Sequence, residues 1–179
     1  NGGLTEQVAV IDTTNLNGAY SVSVSPDGKN VYVAAKNSRS IVYWDRDAST
    51  GKLTNKIVID DSTNLHSVSS VIVSPDGKNV YAVAGRDVYE QNSKSIVHWN
   101  RNASTGALTN KAVLIDKDNL NGAHSVAMSP DGKNIYAVAW FSKSIVHWNT
   151  VRLPSCVDTD GSGSGTPFDI STCSTGYTV

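Results

Sequence analysis

Apolar and polar positions along this chain fall into short runs that return in the same order three times. The first group is Leu4 to Asp12, Ser21 to Ser25, Val31 to Ala35 and Ser40 to Trp44. The second is Leu53 to Asp61, Ser70 to Ser74, Val80 to Ala84 and Ser95 to Trp99, and the third is Leu108 to Asp116, Ser125 to Ser129, Ile135 to Ala139 and Ser144 to Trp148. The runs are rich in Val, Ile, Tyr and Trp and are bounded by Gly, Pro, Asp and Asn, so they predict twelve strands and an all-β chain. No long helical periodicity competes with this reading.

Between the second and third run of each group stands one turn, written Ser25-Pro26-Asp27-Gly28-Lys29-Asn30, Ser74-Pro75-Asp76-Gly77-Lys78-Asn79 and Ser129-Pro130-Asp131-Gly132-Lys133-Asn134. Proline presets the first central angle, aspartate bonds to nearby backbone and glycine takes the positive φ, which predicts a hairpin. The copies lie 49 and then 55 residues apart, a period that belongs to stacked or circular repeats. The six extra residues fall around Arg86 to Gln91 and read as a loop insertion on one rim.

Val71, Ile72 and Val73 are consecutive apolar residues, and Ile96 and Val97 are another such pair. A sheet wet on one face would alternate more cleanly, so these sheets have neighbours on both sides. Four-stranded sheets packed face to face around an axis form a β-propeller. The expected organisation is therefore three blades over residues 1–150 (repeats 4–52, 53–107 and 108–150) and a tail over 151–179. The chain opens on the strand that normally lies outermost and ends its last repeat on a third strand, leaving open edges at both ends. Three blades also fall short of the roughly four to eight of known propellers. The partners this implies are further blades of one longer polypeptide or other copies of the chain. The absence of an initiator Met and the start inside a repeat favour a segment of a larger protein.

Charge narrows the function. Fifteen basic and sixteen acidic residues give a net charge of -1, which excludes a nucleic-acid footprint or a polybasic membrane anchor. The apolar runs are too short for a helical membrane span. Both cysteines, Cys156 and Cys173, lie in the tail, and a local disulfide between them would place the chain in an extracellular or cell-surface setting. Asn102-Ala103-Ser104 is a glycosylation sequon in a predicted turn. Within the tail, Asp158, Asp160, Ser162, Gly163, Thr166 and Asp169 follow the oxygen-ligand spacing of a calcium loop. Its last position is Asp rather than Glu and no amphipathic helix flanks it, so a Gly/Ser linker is the competing reading. No other cofactor is implied.

Other candidates sit at recurring positions. Trp44, Trp99 and Trp148 align, as do Tyr43, His98 and His147 just before them; a ring of Trp stacks on sugars or packs between blades. Asp12, Asp61 and Asp116 recur at strand exits, where they bind a cation or cap turns. Tyr20, Ser69 and His124 align just before the innermost strand, and Asn17, His66 and Asn121 align three positions earlier. No nucleophile elbow, phosphate loop, paired Cys-x-x-Cys or His-Glu-x-x-His motif is present.

The strings Ser25 to Val33, Ser40 to Asp47 and Ser49 to Thr54, repeated as Ser95 to Thr109, resemble the lactonase-like β-propeller superfamily over residues 4 to 149. That superfamily includes 6-phosphogluconolactonase-type enzymes and many repeat modules of secreted proteins. The resemblance implies a propeller fold and makes His124 the best match for a polar site residue, since lactonase-group members carry a His in this region. Three functions follow. Near-identical repeats favour an extracellular structural or adhesive module, a segment of a larger protein or a subunit of a head-to-tail assembly or filament. A sugar-lactone hydrolase of the 6-phosphogluconolactonase type and a carbohydrate-binding lectin are the alternatives.

Overall fold

The structure, a computed structural model, describes residues 7–85 and 93–150, together with the backbone of 157–158 and 177–178. Asn1–Asn149 form one compact unit and Thr150–Val179 a second. The first unit is built from three antiparallel sheets. The first runs β1 (Ala19–Val24), β2 (Asn30–Ala35), β3 (Ser40–Arg46) and β4 (Leu53–Asp60). The second runs β5 (Val68–Val73), β6 (Asn79–Ala84), β7 (Ser95–Arg101) and β8 (Leu108–Ile115). The third has three strands, β9 (Ala123–Met128), β10 (Asn134–Ala139) and β11 (Ser144–Asn149). In the second unit, β12 (Val157–Asp158) pairs with β13 (Tyr177–Thr178).

The sheets are propeller blades, and sheet and sequence repeat are out of phase by one strand: the first run of each repeat closes the preceding sheet as β4 or β8. Leu4 to Asp12 departs from the expectation of a strand. Residues 7–12 belong to no strand, because the position equivalent to β4 needs a third strand before it and no described residue supplies one; residues 4–6 lie outside the described residues. The expected insertion at Arg86 to Gln91 also lies outside them.

Each hairpin between the two inner strands closes on the same bonds. The Gly28 amide donates to Ser25 O, the Lys29 amide to Asp27 Oδ1 and the Asn30 amide to the Ser25 hydroxyl. Gly28, Gly77 and Gly132 have φ of 69°, 71° and 70°, angles that a side chain would resist.

β5 packs against β1 and β2, and β9 packs against β5 and β6, so the blades lie face to face with their first strands innermost. The two seams are the two hydrophobic cores. Tyr32, Ala34, Ile41 and Tyr43 of the first blade meet Val71, Val80, Ala82, Val97 and Trp99 of the second. Val83 and Ile96 of the second blade meet Ala123, Val126, Ile135, Ala137 and Ala139 of the third. The middle blade thus divides β6 by alternation, Val80, Ala82 and Ala84 to one neighbour and Val83 to the other. Equivalent residues show what a neighbour does: Val71 and Val126 are 1% and 5% exposed, but Val22, with no blade before it, is 65% exposed. On the opposite face Ile41 and Ile96 are 0% and 8% exposed and Ile145 is 69%.

Polar bonds cross the same seams. The Val71 amide donates to Ser21 Oγ at 3.2 Å and the Val126 amide to Ser70 Oγ at 3.2 Å. At the other end of the first seam, the buried Arg101 guanidinium donates from Nε to Tyr32 Oη (2.9 Å), from Nη1 to Gly77 O (2.8 Å) and from Nη2 to Asn30 Oδ1 (2.6 Å) and both Asp27 oxygens (3.1 and 3.0 Å). Tyr32 Oη in turn donates to Gly106 O at 2.8 Å. Burial pushes the Tyr32 hydroxyl up to about 12 against the pull of Arg101. Burial also raises Asp27, but the Ser25 hydroxyl, the Lys29 amide and Arg101 outweigh it and hold the carboxyl down to about 2.

Two outcomes test this seam. Arg101→Ala removes the only cation paired with Asp27 among the described residues and the bonds from the second blade to Asn30 and Tyr32 Oη, and should cost roughly 3 kcal/mol in urea unfolding; a change below about 0.5 kcal/mol would show that the clamp does not hold the blades. Asp27 titrates near 2 when folded and near ~3.9 when unfolded. Its contribution is therefore present above about pH 4 and lost as pH falls toward 2. Asp27→Asn should flatten the acid side of the stability curve in that window, read from denaturation midpoints between pH 5 and pH 2.

Candidate functional site

Each inner strand carries a β-bulge near its start. Pairing passes from Ala19↔Ala35 to Ser21↔Ala34, from Val68↔Ala84 to Ser70↔Val83, and from Ala123↔Ala139 to Ser125↔Val138. Tyr20, Ser69 and His124 are the three extra residues. A bulge takes one side chain out of the ladder's alternation and re-aims it, so these positions are the ones an inner strand can offer to something other than its partner. The structure places all three at the end of the sheets where the β2–β3 and β10–β11 turns and the loops entering the inner strands gather.

The three are used differently. Ser69 Oγ donates across the seam to Ala123 O at 2.9 Å. Tyr20 is half exposed at the open face of the first blade. His124 lies edge-on to Trp140, with ring centroids 6.4 Å apart at 71°, and its Nδ1 is buried without a hydrogen-bond partner among the described residues. Trp140 and Phe141, on the β10–β11 turn, are exposed. Repeat reasoning passed over both. The signal was a break in the repeat, because Lys36 and Asn37 stand at these positions in the first copy.

His66, three positions before Ser69, is buried beside Ser67, whose hydroxyl lies 3.3 Å from His66 Nδ1. Ser67 has φ of 59° where the other copies have Gly18 at 68° and Gly122 at 81°. A non-glycine residue there costs roughly 1 kcal/mol, so the second copy bears strain at this loop. Asn17 Oδ1 accepts from Asn37 Nδ2 at 3.1 Å.

The remaining candidates have other surroundings. Trp44 and Trp99 are buried, opposite Val31 and Val80, where the pairing of β3 with β4 and of β7 with β8 slips by a residue. Trp148 is half-buried against the second core. Tyr43, His98 and His147 stack on Tyr32, Tyr81 and Tyr136 with centroids 5.2, 4.8 and 5.6 Å apart. His98 bonds Asn79 Oδ1 at 2.9 Å, and burial lowers its pKa.

Asp12, Asp61 and Asp116 each accept the amide three residues on, from Asn15, Asn64 and Asn119, at 2.8 to 2.9 Å. Lys56 and Lys111 add ion pairs to Asp12 and Asp61. For Asp116, the side chain and amide of Asn119 hold the carboxyl below the usual range. These carboxylates cap turns. Asn102 sits in an exposed turn, accepting the Ser104 amide at 2.8 Å. Among the described residues no group of three or more His, Cys, Asp or Glu is placed to hold a metal. Cys156, Cys173, Asp160, Ser162 and Asp169 lie outside the described residues, as does the side chain of Asp158.

The arrangement sets the His124 imidazole against the exposed Trp140 ring, with the exposed Phe141 next to it in the β10–β11 turn. Its scaffold is similar to several solved structures. A candidate 6-phosphogluconolactonase from Bacteroides uniformis matches with TM-score 0.62 and 20% identity, and one from Bacteroides fragilis with TM-score 0.59 and 15% identity. A protein of unknown function from Desulfotomaculum acetoxidans matches with TM-score 0.55 and 20% identity. These matches cover 76%, 73% and 76% of this chain and 37%, 34% and 41% of those chains. The chain therefore spans little more than a third of the first two. No curated protein matches it. Residues 4–119 match the family described as Lactonase, 7-bladed beta-propeller; with three blades of matching build, the chain belongs to that family.

Proposed function

We propose that this chain contributes three blades to a sugar-lactone hydrolase of the 6-phosphogluconolactonase type. The observation that carries the reading is His124, an imidazole on a bulged inner strand of a lactonase-family propeller. Lactone hydrolysis needs a water molecule made nucleophilic at the ring carbonyl, and histidine is the side chain suited to take that proton near neutral pH. As water's oxygen bonds to the carbonyl carbon, its proton passes to His124. The ring C–O bond then breaks, the departing ring oxygen takes the proton back, and the open hydroxy acid leaves. Groups that stabilise the oxyanion or hold a phosphate belong to blades beyond these three. Trp140 and Phe141 offer apolar faces to the sugar.

A second reading is an extracellular structural or adhesive module without chemistry of its own. The near-copying of the three repeats favours it, since seams built alike suit a scaffold. The lectin reading, which rested on the recurring tryptophans, draws no support from Trp44 and Trp99, whose rings are buried.

Acid release in a pH-stat with glucono-δ-lactone and its 6-phosphate decides between the two. The ring-complete protein should hydrolyse one of them faster than buffer, and His124→Ala should slow it by about 100-fold, the size of a lost general base. Hydrolysis no faster than buffer, or unchanged by His124→Ala, would overturn the enzymatic reading.

A further inference from the structure

His124 is the extra residue of a bulge, so the pairing of β9 with β10 leaves the direction of its side chain open. No hydrogen bond sets the ring through Nδ1, which is buried without a partner among the described residues. A general base is ordinarily oriented by a third group bonded to it. Here that task falls to the backbone that carries the ring and to Trp140 beside it.

The second blade holds that backbone at three points. The Gly122 amide donates to Gly85 O at 3.0 Å, Ala123 O accepts from the Ser69 hydroxyl at 2.9 Å, and the Val126 amide donates to Ser70 Oγ at 3.2 Å. The last of these belongs to the repeat, since the Val71 amide and Ser21 Oγ make the same bond at the first seam. The other two use residues the first seam lacks: Tyr20 stands where Ser69 does, and Lys36 where Gly85 does. Ser69 is buried, with Val83 O a more distant second acceptor at 3.4 Å. Gly85 has φ of 146°, and a Cβ on it would stand 3.0 Å from Leu120 O. Of the three bonds, only that of Ser69 falls on the peptide that joins Ala123 to His124.

We infer that Ser69 is a positioning residue for His124: its hydroxyl holds the Ala123–His124 peptide and so aims the imidazole. The second blade thereby supports the group that the third blade carries. A general base must meet its water within hydrogen-bond reach, and a small misplacement of a catalytic group costs rate steeply. The consequence for rate rests on the hydrolase reading; the orientation of the ring does not.

Ser69→Ala deletes the hydroxyl, and Ser70→Ala is the control that loosens the same seam away from the Ala123–His124 peptide. In the ring-complete protein, labelled at His and Trp, a nuclear Overhauser effect between the His124 and Trp140 rings should be present, weaken in Ser69→Ala and persist in Ser70→Ala. With the lactone that the protein hydrolyses, Ser69→Ala should lower kcat on the order of tenfold at unchanged KM, the cost of a misaimed base, while Ser70→Ala should leave kcat near that of the unaltered protein. Ring contact and kcat both unchanged in Ser69→Ala would overturn the inference. Equal losses in the two variants would overturn it too, since Ser69 would then be a seam bond like Ser70. A protein without lactonase activity would sink the hydrolase reading alone. The ring contact then decides: its loss in Ser69→Ala only upholds the positioning, and its persistence there overturns it.

Discussion

A sheet with apolar residues on both faces is stable only between two others, and that requirement sets the remaining features of this chain. The hydrophobic cores lie between blades, not inside them. Full burial of a valine side chain is worth roughly 1.5–3 kcal/mol, and valine at one repeat position is either enclosed or open depending only on whether a blade stands before it. Stability therefore accumulates seam by seam, in the manner of a repeat array whose terms are nearest-neighbour contacts.

The polar groups follow the same logic. An inner strand has one edge without a strand partner, and unpaired amides there are costly once a neighbour covers them. A serine hydroxyl from the preceding blade takes the Val71 or Val126 amide, so covering the edge and satisfying it happen in one step. Arg101 completes the other end, with every polar atom of its guanidinium engaged while its side chain is fully enclosed. Such a group specifies how the blades sit, because a sheet displaced by one residue would leave a buried charge unpaired.

Much of this was legible in the sequence. Eleven of the twelve runs are strands, the Ser-Pro-Asp-Gly hairpins fall where proline and glycine put them, and the consecutive Val71, Ile72 and Val73 announced a sheet covered on both faces. Leu4 to Asp12 carries the composition of β4 and β8 but not their setting, and a strand is a property of a pair. The bulges were invisible for a related reason: register depends on the partner strand, so nothing in Tyr20, Ser69 or His124 shows that each is an extra residue. The Arg101 clamp had a signal, the joint recurrence of Arg46 with Arg101 and of Asp27 with Asp76 and Asp131, but its geometry runs between repeats and not within one. Trp140 and Phe141 show only as departures from the repeat.

The bulge gives each blade one residue whose side chain the ladder does not dictate. The two positions that follow it are Ser and then Val in all three copies (Ser21-Val22, Ser70-Val71 and Ser125-Val126), held by what they must bond or cover. The bulge position instead holds Tyr, Ser and His. When a blade of this kind is duplicated, the new copy inherits a complete structural frame together with one slot that selection can alter without disturbing the sheet. A propeller grown in this way collects chemically different side chains around its axis at a rate of one per blade.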